Sequence, residues 1–134
     1  MATHIATVLD SDWALPLDEV AQRLRERWPA AQVTTEQALV DTSTRAVVAY
    51  MRTEAGSLEV RSELNGTAVF VEGNRRPMVE AIAWYRSIVP AGETVVLTDE
   101  TGGYVWALGP GVTADDVEDF FSTGDPAHLT GQPA

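Results

Sequence analysis

The chain of 134 residues is 45% hydrophobic and has a formal net charge of −11, which fits one ordinary domain with a buried core and leaves no room for a second. Cysteine and lysine are both absent, so disulfides, thiolate catalysis, Cys-ligated metal centres, Schiff-base chemistry and a Walker-type phosphate lysine are excluded. The sequence has no run of about 18 apolar residues and no secretory signal pattern, and we therefore expect a cytoplasmic protein without a membrane span.

The first predicted elements are a strand and a helix. Residues 4–9 form a short apolar run with β-branched side chains, which predicts a strand that ends at a turn over residues 10–12. A helix is predicted next, because apolar side chains recur with helical spacing at Leu17, Val20, Ala21, Leu24 and Trp28. Acids in its first turn and arginines in its last turn suit the helix dipole, and Pro29 ends it.

The middle of the chain is predicted to be β-structure. Residues 45–52 are apolar at both alternating sets of positions, as in a strand that is covered on both sides or lies at a tight interface. Residues 57–64 alternate between apolar and polar side chains, which is typical of a strand with one solvated face. Asn65-Gly66 favours a type I′ turn, so residues 67–72 should return as a hairpin. Residues 34–40 are predicted as a further short strand.

The last third of the chain contains two helices and a hairpin between them. Residues 77–89 have helical spacing, and residues 94–98 and 104–108 are predicted as strands joined by an acidic, glycine-containing loop. A last helix begins at Thr113, where Thr113 and Asp116 have the spacing of a capping box. Residues 123–134 are rich in Gly, Pro and Thr and are predicted to form a frayed or disordered tail.

This order of elements predicts the fold class α+β. Strands joined by hairpins pair in antiparallel fashion, and so few helices can cover one sheet face but hardly both. We expect a single domain over residues 1–122. It should have one antiparallel, twisted sheet of five to seven strands, with two long helices and one short C-terminal helix packed mainly on one face.

Charge is distributed unevenly along the chain. The last 48 residues carry eight carboxylates and neither Lys nor Arg, whereas the first 86 residues carry twelve carboxylates and all nine arginines. A concentrated field of one sign attracts partners of the opposite sign and repels nucleic acid and anionic lipid. The sequence therefore predicts a basic protein partner, and it predicts no binding to nucleic acid or membrane.

The acidic hairpin and the last helix are the candidate partner-binding surface. Tyr104 and Trp106 share one strand face beside these acids, and aromatic anchors inside a polar rim are typical of interaction hot spots. The candidate residues are Asp99, Glu100, Tyr104, Trp106, Asp115, Asp116 and Asp119. The alternative is that the two aromatic residues belong to the core and that acids early in a helix merely suit its dipole.

A second candidate site precedes the second helix. Asn74, Arg75 and Arg76 lie where free helix amides and two guanidinium groups can hold a phosphate or carboxylate. This predicts, as an alternative function, a small-ligand or regulatory module for an anionic metabolite. The simpler interpretation is a turn whose arginines offset nearby carboxylates.

The sequence offers little for catalysis or metal binding. His4 and His128 are the only histidines, and neither has a nucleophile at a recognisable spacing. The motifs G-x-S-x-G and H-E-x-x-H are missing, and residues 115–119 lack the layout of an EF-hand loop. We therefore expect a protein that is not an enzyme and that uses no cofactor and no metal.

Residues 97–121 (LTDETGGYVWALGPGVTADDVEDFF) combine an apolar strand, an acidic hairpin, an aromatic strand and a Thr-capped acidic helix. This pattern resembles small cytoplasmic immunity-type proteins of bacterial toxin systems. The resemblance implies that the protein neutralises a co-encoded toxin, with an acidic surface against a basic nuclease-like domain. Self-association as a homodimer, through residues 46–51 and the edge around Trp84, is a third hypothesis.

Overall fold

The structure, a computed structural model, describes residues 3–101 and 103–123. Its elements follow the predicted order and confirm an α+β fold with one antiparallel sheet. They are β1 (Thr3–Leu9), α1 (Leu17–Arg27), β2 (Gln32–Gln37), β3 (Arg45–Thr53), β4 (Gly56–Glu63), β5 (Ala68–Gly73), α2 (Arg75–Ile88), β6 (Thr94–Asp99), β7 (Val105–Leu108) and α3 (Ala114–Thr123). With 10 residues, α3 is almost as long as α1, which has 11.

Within the described residues, the sheet has seven strands in the order β2-β3-β4-β5-β1-β6-β7. The strands β2 to β5 are neighbours in chain order, and so are β6 and β7. The N-terminal strand β1 lies between these two groups and pairs with both β5 and β6 in antiparallel fashion. As a result, β1 lies beside the β6–β7 hairpin, although the two are far apart in the sequence.

The predicted hairpin turn between β4 and β5 is present. Asn65 and Gly66 have φ values of 55° and 82°, which are the positive values that a type I′ turn requires. The N–H of Thr67 donates to the carbonyl of Leu64 across this turn at 3.2 Å. Asparagine and glycine tolerate this backbone region better than other residues, so the dipeptide fixes the register of the two strands.

The two faces of the sheet have different surroundings. One face, called the covered face, shares a single hydrophobic core with the helices. Representative core residues are Ala6, Val60, Val71 and Leu97 from the strands and Leu24, Ile82 and Val117 from the helices. The alternate side chains of the same strands form the other face, called the open face. Ile5, Glu59 and Phe70 lie on it and remain partly exposed.

Part of the open face is covered by the connection between β2 and β3. Ala38 in this connection is buried against Ala46 and Val48 of β3. Residues 38–44 are called the strap below. Because the helices cover the opposite side of β3, this strand is apolar at both alternating sets of positions, as its sequence indicated.

A buried carboxylate holds the strap in place. The Glu63 side chain is fully buried and accepts hydrogen bonds from the backbone N–H of Leu39 and of Val40, both at 2.9 Å. The strand predicted over residues 34–40 is therefore wrong at its C-terminal end, since β2 stops at Gln37. Beyond Gln37, the Glu63 carboxylate of β4 accepts the backbone N–H hydrogen bonds that a neighbouring strand would otherwise accept.

The predicted C-terminal tail lies almost entirely outside the described residues. Thr123 ends α3, while the rest of the predicted tail, residues 124–134 with His128, lies outside the described residues. In the part that is described, no helix is both long enough and apolar enough to span a bilayer.

Candidate functional site

The β6–β7 loop and α3 adjoin at one end of the sheet. Phe121 of α3 packs against His4, with ring centroids 4.7 Å apart, and against Tyr104 at 6.3 Å. His4 is opposite Asp99 in the sheet register, so these contacts place α3 beside the start of the β6–β7 loop. This region is called the acidic end. Its carboxylates are Asp99, Glu100, Asp115, Asp116, Glu118 and Asp119.

Two arginines from the start of α2 reach into the acidic end. Arg76 pairs with Asp115 at 3.0 Å, and Arg75 pairs with Glu118 at 2.8 Å. Arg76 also contacts Glu80 at 3.0 Å. Both guanidinium groups of the predicted anion site therefore form ion pairs with carboxylates of the same chain at exposed positions, and anion binding there stays a prediction. The simpler interpretation, a turn whose arginines offset nearby acids, agrees with the structure.

Asn74, the third residue of the predicted anion site, has a structural role as well. Its Oδ1 accepts a hydrogen bond from the backbone N–H of Ser57 at 2.8 Å. This bond ties the start of α2 to the start of β4. The side chain makes no capping hydrogen bond to α2.

Several acids of the acidic end stabilise local structure. The Thr113 Oγ1 accepts from the Asp116 N–H at 3.1 Å, and the Asp116 carboxylate accepts from the Thr113 N–H at 3.0 Å, which confirms the predicted capping box. Asp99 accepts a hydrogen bond from the N–H of Gly103 at 2.6 Å within the hairpin loop. The side chains of Glu100, Asp115 and Asp119 are exposed and therefore accessible to a partner.

The two predicted aromatic anchors are not on the surface together. Trp106 is only 1% exposed, and its ring stacks on Phe120 with centroids 4.5 Å apart. The prediction that Trp106 contacts a partner is therefore wrong, because α3 covers this side chain. Tyr104 is half-buried between α3 and β1, so at most its edge is accessible.

A histidine–tyrosine pair joins β1 to the residue that precedes β7. Nδ1 of His4 and the hydroxyl of Tyr104 share a hydrogen bond of 2.6 Å. Burial lowers the pKa of His4, as does the nearby charge of Arg75, against the opposing effects of Asp99 and Glu100. Burial and Asp99 raise the pKa of Tyr104. Sequence reasoning missed this pair because the two residues are 100 positions apart.

The lowered pKa of His4 predicts a dependence of stability on pH. Its pKa in the unfolded chain is about 6.5, so acidification protonates the unfolded state first, and stability should fall as the pH drops from about 7.5 to about 5.5. His4→Phe keeps a ring beside Phe121 and cannot titrate. Urea denaturation of both proteins at the two pH values measures the effect. Equal pH dependence in wild type and variant would contradict the assignment.

A second group of acids lies on the open face. Of its three members only Glu100, which also belongs to the acidic end, was singled out from the sequence. Glu59 and Glu72 are directly opposite each other in the β4–β5 register. Glu72 accepts a hydrogen bond from the Thr3 hydroxyl at 3.0 Å, and the backbone N–H of Glu100 donates to the Thr3 carbonyl at 3.1 Å. Glu59, Glu72 and Glu100 therefore form a line across the strands, called the carboxylate row.

The carboxylate row affects the tyrosine beside it. Tyr50 is the register partner of Glu59 on β3, and it is 40% exposed. Loss of hydration and the charges of Glu59 and Glu36 raise the pKa of its hydroxyl. The alternation of Glu59 with Val60 placed this acid on a solvated face from sequence alone. The strand order that brings Glu72 and Glu100 into line with it was not predictable.

Over residues 3–101 and 103–123, no three His, Asp or Glu side chains are grouped so as to hold a metal ion. The fold and these surfaces define an α+β protein with an acidic end and a partly exposed sheet face. No family model matches the chain, and neither a curated protein nor a solved structure shows significant similarity to it.

Proposed function

We propose that this chain is a non-enzymatic binding protein of the cytoplasm that recognises a basic protein partner through its acidic end. The class that agrees best with this role is an immunity or inhibitor protein that neutralises a cationic toxin. The observation that carries the proposal is the meeting of the β6–β7 loop with α3, which gathers six carboxylates from two separate segments.

The intramolecular ion pairs reduce this negative charge but do not cancel it. Arg75 and Arg76 supply two positive charges against the six carboxylates. The Asp115 side chain remains 84% exposed despite its ion pair, so solvent screens that pair and leaves the carboxylate accessible. A net negative surface of this kind accelerates the arrival of a cationic partner and selects against anionic ones.

The product of the neighbouring reading frame is the first partner to test, since a gene for an immunity protein should lie beside the gene for its toxin. We expect this product to bind the wild-type chain. Binding should weaken on the order of tenfold when Glu100→Gln, Asp115→Asn and Asp119→Asn are combined, because three exposed charges are lost. Isothermal titration calorimetry at low salt measures the change.

A variant with the same loss of charge elsewhere is the control. Asp12→Asn, Asp18→Asn and Glu26→Gln also remove three negative charges from exposed side chains, on α1 and the segment before it. The proposal requires this control to bind the partner nearly as wild type does. Equal weakening in both variants would show that net charge alone, and not the acidic end, determines binding.

A further inference from the structure

The exposed apolar side chains of this protein are concentrated on one side. Five large hydrophobic residues are exposed in the described part of the chain: Leu9, Leu39, Val40, Tyr50 and Val105. The register places Leu9, Tyr50 and Val105 on the open face, and the other two lie on the strap that covers part of it. Single exposed apolar residues need no explanation, but a group that shares one face indicates an interaction surface.

A buried carboxylate holds the strap in the position where two of these apolar side chains are exposed. Leu39 and Val40 are 66% and 54% exposed, while the carboxylate that fixes their backbone is fully buried. Arg61 compensates this charge through an ion pair with Glu63 at 3.4 Å, and it also pairs with Glu36 at 3.0 Å. Arg61 is therefore already engaged with acids of its own chain.

The carboxylate row borders this apolar surface. A depression of about 200 Å³ lies between them, lined by Glu59, Glu72 and Glu100 together with Leu39, Arg61 and Phe70. Like charges directly opposite in a sheet destabilise it, as for Glu59 and Glu72. None of the ion pairs among the described residues involves a member of the row.

We infer that the open face is the docking surface for a basic, amphipathic protein segment, whose cations meet the carboxylate row while its apolar side chains cover Leu39, Phe70 and Val105. This inference rests on the proposed function and adds to it the place where the partner binds. The acidic end then attracts the partner, and the open face holds it. With strands about 4.8 Å apart, the row extends over roughly 14 Å, which sets the spread of the cations on the partner.

Charge complementarity favours this occupant over two others. A second copy of the chain, with a net charge of −11, would place one carboxylate row near another. Residues 124–134 contain Asp125 and neither Lys nor Arg, so they bring no cation that is charged at neutral pH to the row. A basic segment alone supplies both the positive charge and the apolar surface that this face lacks.

The test uses the full chain and two synthetic peptides. One is a 14-residue amphipathic Leu/Lys peptide, and the other is an oligolysine of equal charge. We expect the amphipathic peptide to shift backbone amide NMR signals of β1, β4, β5 and β7 and of the strap. The oligolysine should bind more weakly, because it covers no apolar surface.

Matched variants then locate the binding site. The affinity for the amphipathic peptide should fall roughly tenfold when Glu59→Gln, Glu72→Gln and Glu100→Gln are combined. Their folding should be retained, because the change removes like-charge repulsion. Asp115→Asn, Glu118→Gln and Asp119→Asn remove the same charge from α3 and should leave the affinity nearly unchanged. Leu39→Ser with Val105→Thr should abolish the preference for the amphipathic peptide over oligolysine.

Several results would overturn the inference. The affinity for the amphipathic peptide could fall equally in both triple variants, or fall only in the α3 variant. The NMR signal shifts could be restricted to α3, or the amphipathic peptide could fail to bind. A wild-type dimer in light scattering that Val105→Thr dissociates would assign the face to self-association. If the neighbouring gene product binds the wild-type chain and only the α3 variant binds it more weakly, the inference fails while the proposed function stands. If that product does not bind, the proposed function fails.

Discussion

Replacing Arg86 by methionine should lower the free energy of unfolding by about 3 to 4 kcal/mol, because several buried carbonyls lose a charged donor at once. Arg86 is 2% exposed and donates to the carbonyls of Leu108 at 2.9 Å and Val89 at 3.0 Å. Longer contacts reach the carbonyls of Ala91 and Glu93 at 3.4 and 3.3 Å. The guanidinium therefore joins the end of α2 to the β6–β7 hairpin.

The large effect follows from how this charge is satisfied. Burial lowers the pKa of Arg86, yet a guanidinium stays protonated at neutral pH, so within the described residues carbonyl dipoles balance its charge. Lysine presents one ammonium group and cannot reach the same set of acceptors, so Arg86→Lys should recover only part of the loss. Urea denaturation measures both variants. Arg25→Met, at an exposed position of α1, is the control. A similarly small loss of unfolding free energy at both positions would refute the stabilising role of Arg86.

The second large effect is expected for Trp106→Ala, at about 3 to 5 kcal/mol of unfolding free energy. This ring is buried and stacked on Phe120, so its removal leaves a cavity between the sheet and α3. The neighbouring Val105 is 70% exposed and faces the other way, so Val105→Ala should cost less than about 1 kcal/mol.

Denaturation of these two variants distinguishes core from surface at adjacent positions. If Trp106→Ala were as stable as wild type but lost partner binding, the residue would be a surface anchor and the packing described here would be incorrect. If Val105→Ala proved as destabilising as Trp106→Ala, the assignment of Val105 to the exposed face of β7 would be incorrect.

Local sequence patterns predicted most of the elements of this fold. Helical spacing identified α1 and α2, and Asn65-Gly66 identified the β4–β5 hairpin, because these signals depend on residues that are close in sequence. The capping pair Thr113 and Asp116 located the start of α3 for the same reason. The strand predicted over residues 34–40 ends earlier, at Gln37, because Glu63, more than 20 positions away, binds the backbone of Leu39 and Val40.

The candidate site was less predictable, because its contacts join distant segments. The count of acids identified α3 and the β6–β7 loop, but it gave no indication that Arg75 and Arg76 reach across to Asp115 and Glu118. The carboxylate row depends on β1 lying between β5 and β6, and no local pattern specifies that order. Trp106 illustrates the same difficulty, since alternation in β7 shows that it faces opposite to Val105 but not which face α3 covers.

The most direct test of the proposed function is the rate of association between the chain and the basic product of the neighbouring reading frame, measured by stopped flow over a range of salt concentrations. We expect the association rate constant to fall steeply as salt screens the acidic end. At the lowest salt concentration it should be about tenfold lower for the Glu100→Gln, Asp115→Asn, Asp119→Asn variant than for wild type. The control variant with Asp12→Asn, Asp18→Asn and Glu26→Gln should follow wild type. A rate constant that is independent of salt, or identical in all three proteins, would contradict recognition through the acidic end.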